Sequence, residues 1–228
     1  MRHTIAQRFY LPSICILCNQ YHQGGVAICS DCKRHMSPLG PACEQCALPL
    51  PESQHLICGH CIKEKPIYDR VISAYRFEEP LRTLLHEFKY KEGLYLLSFL
   101  TSLMHQAILD KSHDTECFIP IPMHPHRLRQ RGFNQSALLT KQLAHTLRRP
   151  YHVSCCKKII NTRPQAELNA QERQTNLQSA FEAMPLPYKK VTLVDDLLTT
   201  GSTANALAGV LKSRGVEYVD IVCCARAV

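Results

Sequence analysis

Val191-Thr-Leu-Val-Asp-Asp-Leu-Leu-Thr-Thr-Gly-Ser-Thr203 carries the most specific chemistry in the chain. A hydrophobic run, read as a strand over 191–194, delivers two adjacent carboxylates, Asp195 and Asp196, at its carboxyl end. The turn at 199–203 then opens a helix, read over 202–214, and Gly201 allows a ligand close to the backbone. The hydroxyls of Thr199, Thr200, Ser202 and Thr203 can donate hydrogen bonds, and a helix N-terminus favours a phosphate. An anion and a pair of ribose hydroxyls can thus be held close together, which is what a 5-phosphoribose requires. The Thr-Thr-Gly-Ser-Thr turn alone could be no more than a helix cap. Two neighbouring carboxylates on a buried strand are different, because they cost desolvation unless something binds them.

Working outward, the same chain segment alternates strands with helices. Residues 69–77 form a β-branched and aromatic run read as a strand, and apolar positions at helical spacing predict helices over 79–91 and 94–109. A short buried strand over 117–121 is stopped by Pro120 and Pro122, a helix follows over 135–149, and a last strand over 216–225 is entered through Gly215. Strands alternating with helices imply an α/β domain with a parallel sheet and ligands at the carboxyl ends of its strands. That domain spans 67–228, and a smaller cysteine-rich module spans 1–66.

Within the module, cysteines fall in four CxxC pairs: Cys15 and Cys18, Cys29 and Cys32, Cys43 and Cys46, Cys58 and Cys61. The pairs are separated by 10, 10 and 11 residues, a repeat that suits two four-sulfur zinc sites. Such closed sites are structural; a catalytic zinc needs an open coordination position. Sequential pairing of the knuckles is the simplest arrangement, with interleaved pairing as the alternative. Zinc binding of roughly 10 kcal/mol or more per site would supply folding energy to a segment with few core residues. A thioredoxin-like redox role is weaker, since no pair sits between a strand and a helix. His22, His35, His55 and His60 lie near the knuckles and read as bystanders, because eight thiols already suffice.

The chain of 228 residues is 45% hydrophobic and 20% charged, which excludes a disordered polymer. Its start lacks an apolar signal core, and residues 94–109 are interrupted by Ser98, Thr101, Ser102, His105 and Gln106, so a buried helix is expected rather than a membrane span. Thirteen cysteines, an odd number, without an export signal point to thiols or metal in the cytoplasm, and Cys117, Cys155, Cys156, Cys223 and Cys224 read as buried thiols. The net charge of +8 is concentrated: residues 120–166 contain no Asp or Glu but nine Arg and Lys. A solvated basic face is the plain explanation. The neighbouring Gly132, Asn134 and Gln135 make a phosphate-rich partner the better one.

Residues 191–203 resemble the binding motif for phosphoribosyl pyrophosphate (PRPP) of type I phosphoribosyltransferases along their whole length, with Ser202 where many members carry a second glycine. The resemblance implies that Asp195 and Asp196 contact the ribose hydroxyls, partly through magnesium-bound water, and that Thr199, Thr200, Gly201, Ser202 and Thr203 hold the 5′-phosphate. In the same fold the loop corresponding to 119–135 grips pyrophosphate, which implies that role for Arg127, Arg129 and Arg131. Arg131-Gly-Phe-Asn-Gln135, Thr162-Arg-Pro-Gln165, Leu168, Arg173, Asn176 and the stretch His86-Glu-Phe-Lys-Tyr-Lys-Glu-Gly93, with the cysteine-rich start, resemble the ComF family of competence proteins over nearly the whole chain. The implied role is natural transformation through handling of incoming single-stranded DNA, beside a competence helicase or another DNA-processing protein and without membrane insertion. Residues 163–176 would form a flap over the ligand. The alternative is an active PRPP-dependent phosphoribosyltransferase in nucleotide or DNA-linked metabolism. For strand binding, Phe9, Tyr10, Tyr21, Phe133 and Tyr151 are the candidate stacking residues.

Overall fold

A computed structural model describes residues 13–23, 27–51, 56–111, 114–160 and 179–228. The cysteine-rich part holds a two-stranded antiparallel ribbon, β1 (Ser13–Ile14) with β2 (Tyr21–His22), and two one-turn helices, α1 (Ser30–Arg34) and α2 (Gly59–Lys63). Each helix begins one residue after a cysteine, Cys29 or Cys58, in extended conformation.

The remaining elements build the α/β layer structure. They are β3 (Arg70–Arg76), α3 (Leu81–Glu87), α4 (Leu97–Asp110), β4 (Cys117–Pro120), α5 (Pro125–Arg131) and α6 (Gln135–Leu147). A short ribbon of β5 (Cys156–Lys158) and β6 (Phe181–Ala183) is followed by β7 (Lys190–Leu198), α7 (Ser202–Ser213) and β8 (Tyr218–Arg226). The four long-range strands lie in the order β3-β8-β7-β4 and every pairing is parallel. Alternation along the strands feeds two cores. Ile72, Phe118, Val194 and Val222 pack with Leu84, Leu85, Leu100, Met104, Leu139 and Leu143 on one face. Val71, Ile119, Leu193, Val219 and Ile221 pack with Leu207 and Leu211 of α7 on the other.

Three sequence expectations are revised. The helix expected over 79–91 stops at Glu87 and continues as a 3-10 turn, Lys91–Leu96. The chain folds back there so tightly that a Cβ on Gly93 would fall 2.2 Å from the Glu87 carbonyl oxygen, so no larger residue fits. The strand expected over 191–194 runs to Leu198, because β8 keeps pairing with it as far as Arg226. The basic loop contains a helix, α5, with Pro125 in its first turn, His124 capping the His126 N–H, and Gly132 closing it in left-handed conformation (φ 84°).

The module is not a separate ornament. Cys15, Ile28, Cys29 and Met36 are buried in the same cluster as Leu84 and Phe88. The Leu39 N–H donates to the Ala74 carbonyl (3.1 Å) and the Arg76 N–H to the Ser37 carbonyl (3.0 Å), covering the free edge of β3. Among the described residues no helix is long and apolar enough to cross a membrane. The helix expected over 94–109 is α4, with its buried face against the sheet.

Candidate functional site

Position of the acidic pair follows from where β4 ends. Pro120 is the last β4 residue and pairs with Val194, so Asp195 and Asp196 lie one step past the neighbouring strand while β8 still supports them from the other side. This leaves a crevice at the carboxyl end of the sheet, the usual ligand position in a parallel α/β layer. The Ser136 hydroxyl donates to Asp195 Oδ1 (2.8 Å), and the Asp196 N–H donates to the same oxygen (2.9 Å). Burial, then the charge of Asp196, pushes the Asp195 carboxyl well above the usual carboxylate range, against the opposing Ser136 bond. Asp196 Oδ2 is buried and has no hydrogen-bond partner among the described residues. An orphaned buried carboxylate oxygen beside a second carboxylate is a donor set suited to a hard divalent cation such as magnesium or to sugar hydroxyls.

Sequence reasoning missed Ser136 and the way it is placed. Asn134 caps α6: its Oδ1 accepts from the Ser136 N–H (3.0 Å) while its Nδ2 donates to the Ile121 carbonyl (3.1 Å). The cap therefore ties the start of α6 to the end of β4 and aims Ser136 at Asp195. An Asn before an apolar-periodic run was the readable signal. Gln135, only 2% exposed, accepts from Arg131 Nη1 (2.7 Å).

Three residues beyond the pair, the phosphate-loop candidates assemble around the start of α7. Gly201 has φ 78°, and a Cβ there would meet the Tyr68 hydroxyl at 3.1 Å, so two constraints favour glycine. Gly201 caps α7 without a side chain of its own; the Ser202 N–H donates to the exposed Thr200 hydroxyl (3.3 Å), which lies 2.9 Å from the exposed Ser202 hydroxyl. A cavity of about 420 Å³ opens beside the loop, bounded by Thr200, Gly201, Ser202 and Asn205 on one side and by Cys46, His60 and Cys61 on the other.

The three arginines assigned to a pyrophosphate grip do not converge equally. On α5, Arg127 and Arg131 share a face at i, i+4 spacing, and Arg129 lies on the opposite one. Arg127 and Arg129 are exposed, while Arg131 is half-buried on Gln135. Lys158 of β5 approaches Arg127; burial, then that neighbouring charge, lowers its pKa, and its Nζ lies 5.5 Å from the centre of the Phe181 ring. Lys158 and Arg127 are therefore neighbouring cations. The flap expected over 163–176, with Phe9, Tyr10 and His55, lies outside the described residues. Tyr21 is exposed, and so are Tyr90 and Tyr95, which sequence reasoning had not named as stacking surfaces.

The eight module cysteines form two clusters in sequential pairing: Cys15, Cys18, Cys29 and Cys32, then Cys43, Cys46, Cys58 and Cys61. Within each, all four sulfurs lie within 4.8 Å of one another. Zinc–sulfur bonds of about 2.3 Å in a tetrahedron require sulfurs about 3.8 Å apart. Cys18 to Cys29 is 3.8 Å and Cys46 to Cys58 is 3.6 Å, so the residues fit the ion. Burial opposes ionisation of Cys15, but the N–H groups of Cys29, Cys18 and Leu17 outweigh it and hold the thiol at about 6. Cys43 is held at about 7 in the same way, against burial, by the N–H groups of Cys46, Cys58 and Gln45. Zinc in such a closed set has no open position and supplies cross-linking, not catalysis. The other five cysteines are buried free thiols, as the sequence implied.

Residues 6–62 match the family described as a double zinc ribbon domain. The whole chain is similar to competence protein F of Haemophilus influenzae, 34% identical over 93% of this chain and 96% of that protein. It is 31% identical to the DNA utilization protein YhgH of Escherichia coli, over 95% of this chain and 98% of the relative. Competence protein ComFC of Bacillus subtilis is 26% identical over 89% of this chain and 90% of its own length.

Proposed function

Because this chain belongs to the ComF family of competence proteins, we propose that it acts in natural transformation by handling incoming single-stranded DNA and binds Mg·PRPP at the Asp195–Thr203 site. One observation carries the ligand assignment: a buried carboxylate oxygen on Asp196, without a hydrogen-bond partner among the described residues, stands on the same strand that leads into the Gly201-capped start of α7. A structure that only needed a strand and a helix would not keep that oxygen. The DNA assignment rests on the names of the relatives, competence protein and DNA utilization protein, and on the acid-free basic stretch over 120–166.

In this reading Asp195, oriented by Ser136, and Asp196 accept from the two ribose hydroxyls. The N–H and hydroxyl groups at 199–203 hold the 5′-phosphate, and Arg127, Arg131 and Lys158 face the pyrophosphate. Magnesium, when bound, screens the pyrophosphate charge and supports its departure. If the group is transferred, the chain's contribution is positioning and charge stabilisation at the ribose.

Pyrophosphate release from Mg·PRPP, measured with separate nucleobases and then with single-stranded DNA as acceptor, tests the site. Release that depends on one acceptor would make the protein a transferase and name its substrate. Calorimetric binding without release would make PRPP a bound ligand of a DNA-handling protein. Neither heat nor release would remove the assignment.

Strand binding has its own readout. Each phosphate neutralised should steepen the fall of log affinity with log salt by about 0.7. The exposed Lys141 and Arg149 lie within the basic stretch, so the double substitution Lys141→Ala, Arg149→Ala should flatten that slope by about 1.4 and weaken binding to all sequences alike. A salt-independent affinity in the unaltered protein would show that the basic stretch is not the DNA surface.

A further inference from the structure

Arg226, the last residue of β8, is a cation 5% exposed and surrounded by carbonyls. Its Nε donates to the Cys46 carbonyl (2.8 Å), inside the second cysteine cluster. The two hydrogens of its Nη1 are shared among the carbonyls of Leu198 (3.2 Å), Thr199 and Ala227. One rigid planar guanidinium therefore spans the second zinc knuckle and the entry to the phosphate loop. Hydrogen bonds made by a charged donor are stronger than neutral ones, and a buried charge is costly unless they are made.

The effect on the loop follows from peptide geometry. In a trans peptide the carbonyl and the next N–H point in opposite directions. Holding the Leu198 and Thr199 carbonyls toward Arg226 turns the Thr199 and Thr200 N–H groups the other way, away from the guanidinium. Two further contacts come from the segment that follows the second ribbon. The Ile67 N–H donates to Asn205 Oδ1 on α7 (2.6 Å), and the Tyr68 ring packs against Gly201. Arg226, Tyr68 and Ile67 thus fix the loop region at 198–199, at 201 and at 205, and the cavity of about 420 Å³ opens between it and the second cysteine cluster.

We infer that Arg226 is a positioning residue through which zinc in the second cluster sets the conformation of the phosphate loop, so that phosphoribosyl affinity depends on zinc there. The inference rests on the PRPP reading for its ligand and on hydrogen bonds alone for its coupling. Zinc holds the Cys43–Cys46 knuckle in place; the knuckle carbonyl holds Arg226; Arg226 holds the two loop carbonyls. Lysine cannot replace it, because a single ammonium does not match a guanidinium whose Nε reaches the knuckle while its Nη1 reaches the loop.

The test compares the full-length protein with Arg226→Lys, Cys61→Ala and the double variant. Zinc content is measured by atomic emission, Mg·PRPP affinity by calorimetry, and loop order by amide hydrogen exchange at Asn205 and Ala227. Those two amides donate to the Gly201 and Leu198 carbonyls (2.8 and 2.9 Å), so they report on the loop itself. Arg226→Lys should keep both zinc ions, speed exchange at both amides and weaken Mg·PRPP about ten- to a hundredfold, the range for losing charge-assisted bonds. Cys61→Ala should do the same from the zinc side, and the double variant should be little worse than either. Additive effects, or unchanged exchange in Arg226→Lys with zinc intact, would overturn the coupling. Should Arg226→Lys not fold, unchanged exchange in Cys61→Ala overturns it alone. If the unaltered protein ignores Mg·PRPP, the ligand reading fails while the exchange arm still decides the coupling.

Discussion

Stripping zinc with a strong chelator should lower the melting temperature of the whole chain by more than about 10 °C, in one transition, rather than unfold its first sixty residues alone. Structural zinc supplies roughly 10 kcal/mol or more per site, comparable with the entire stability of an ordinary domain. The ribbon passes part of that on, because Ile28 and Met36 complete the core of the α4 face and Ser37 and Leu39 cap the edge of β3. Without the metal those apolar groups lose their scaffold and the sheet edge is opened to water. The pH dependence has a definite sign: each thiolate must trade zinc for a proton, so chelation should become easier as pH falls. Differential scanning calorimetry at two pH values, with and without chelator, checks both points. A high-temperature transition left unchanged after zinc loss would mean that the ribbon contributes nothing to the sheet.

How much of this was legible in the sequence depends on the range of the interaction. The CxxC knuckles are local, and four of them at even spacing announce two four-sulfur sites; sequential pairing is what the fold adopts. Strand and helix alternation read correctly because apolar period is local too. The end of β7 was misplaced because β8, not the β7 sequence, decides how far the pairing runs. Helix α5 was missed although Pro125 and Gly132 mark its two ends, since a run of basic residues drew attention to charge over conformation. Ser136 and Arg226 were out of reach for a different reason. Their roles come from partners 59 and 180 residues away, Asp195 and Cys46, and nothing near them in sequence names those partners. For Arg226 the available hint was an arginine at the end of an apolar strand, because such a charge, once buried, must find several acceptors.

Asp195→Asn should abolish detectable Mg·PRPP binding, a loss of at least about a hundredfold, while making the protein more stable. The two effects share one cause. Burial, and then the charge of the adjacent Asp196, holds the Asp195 carboxyl well above the usual range. Because the folded-state pKa exceeds the unfolded one, the folded chain keeps the proton after the unfolded chain has lost it. Ionising Asp195 therefore costs stability, and no such cost exists below the ordinary Asp pKa of about 3.9. The gain from asparagine should thus be absent at low pH, grow as pH rises past that value, and level off above the folded-state pKa. Each kcal/mol relieved would appear as roughly 2–4 °C in melting temperature for a chain of this size. Asparagine keeps the shape, and its side-chain carbonyl can still accept from the Ser136 hydroxyl and the Asp196 N–H. Asp195→Ala with Asp196→Ala should abolish binding as completely and leave the fold intact. A destabilised Asp195→Asn would mean that the carboxylate is held for structure, and unchanged Mg·PRPP affinity in the double alanine variant would remove the site assignment. A stable protein that no longer binds would identify the acidic pair as a place where this fold accepts a stability cost in order to hold its ligand.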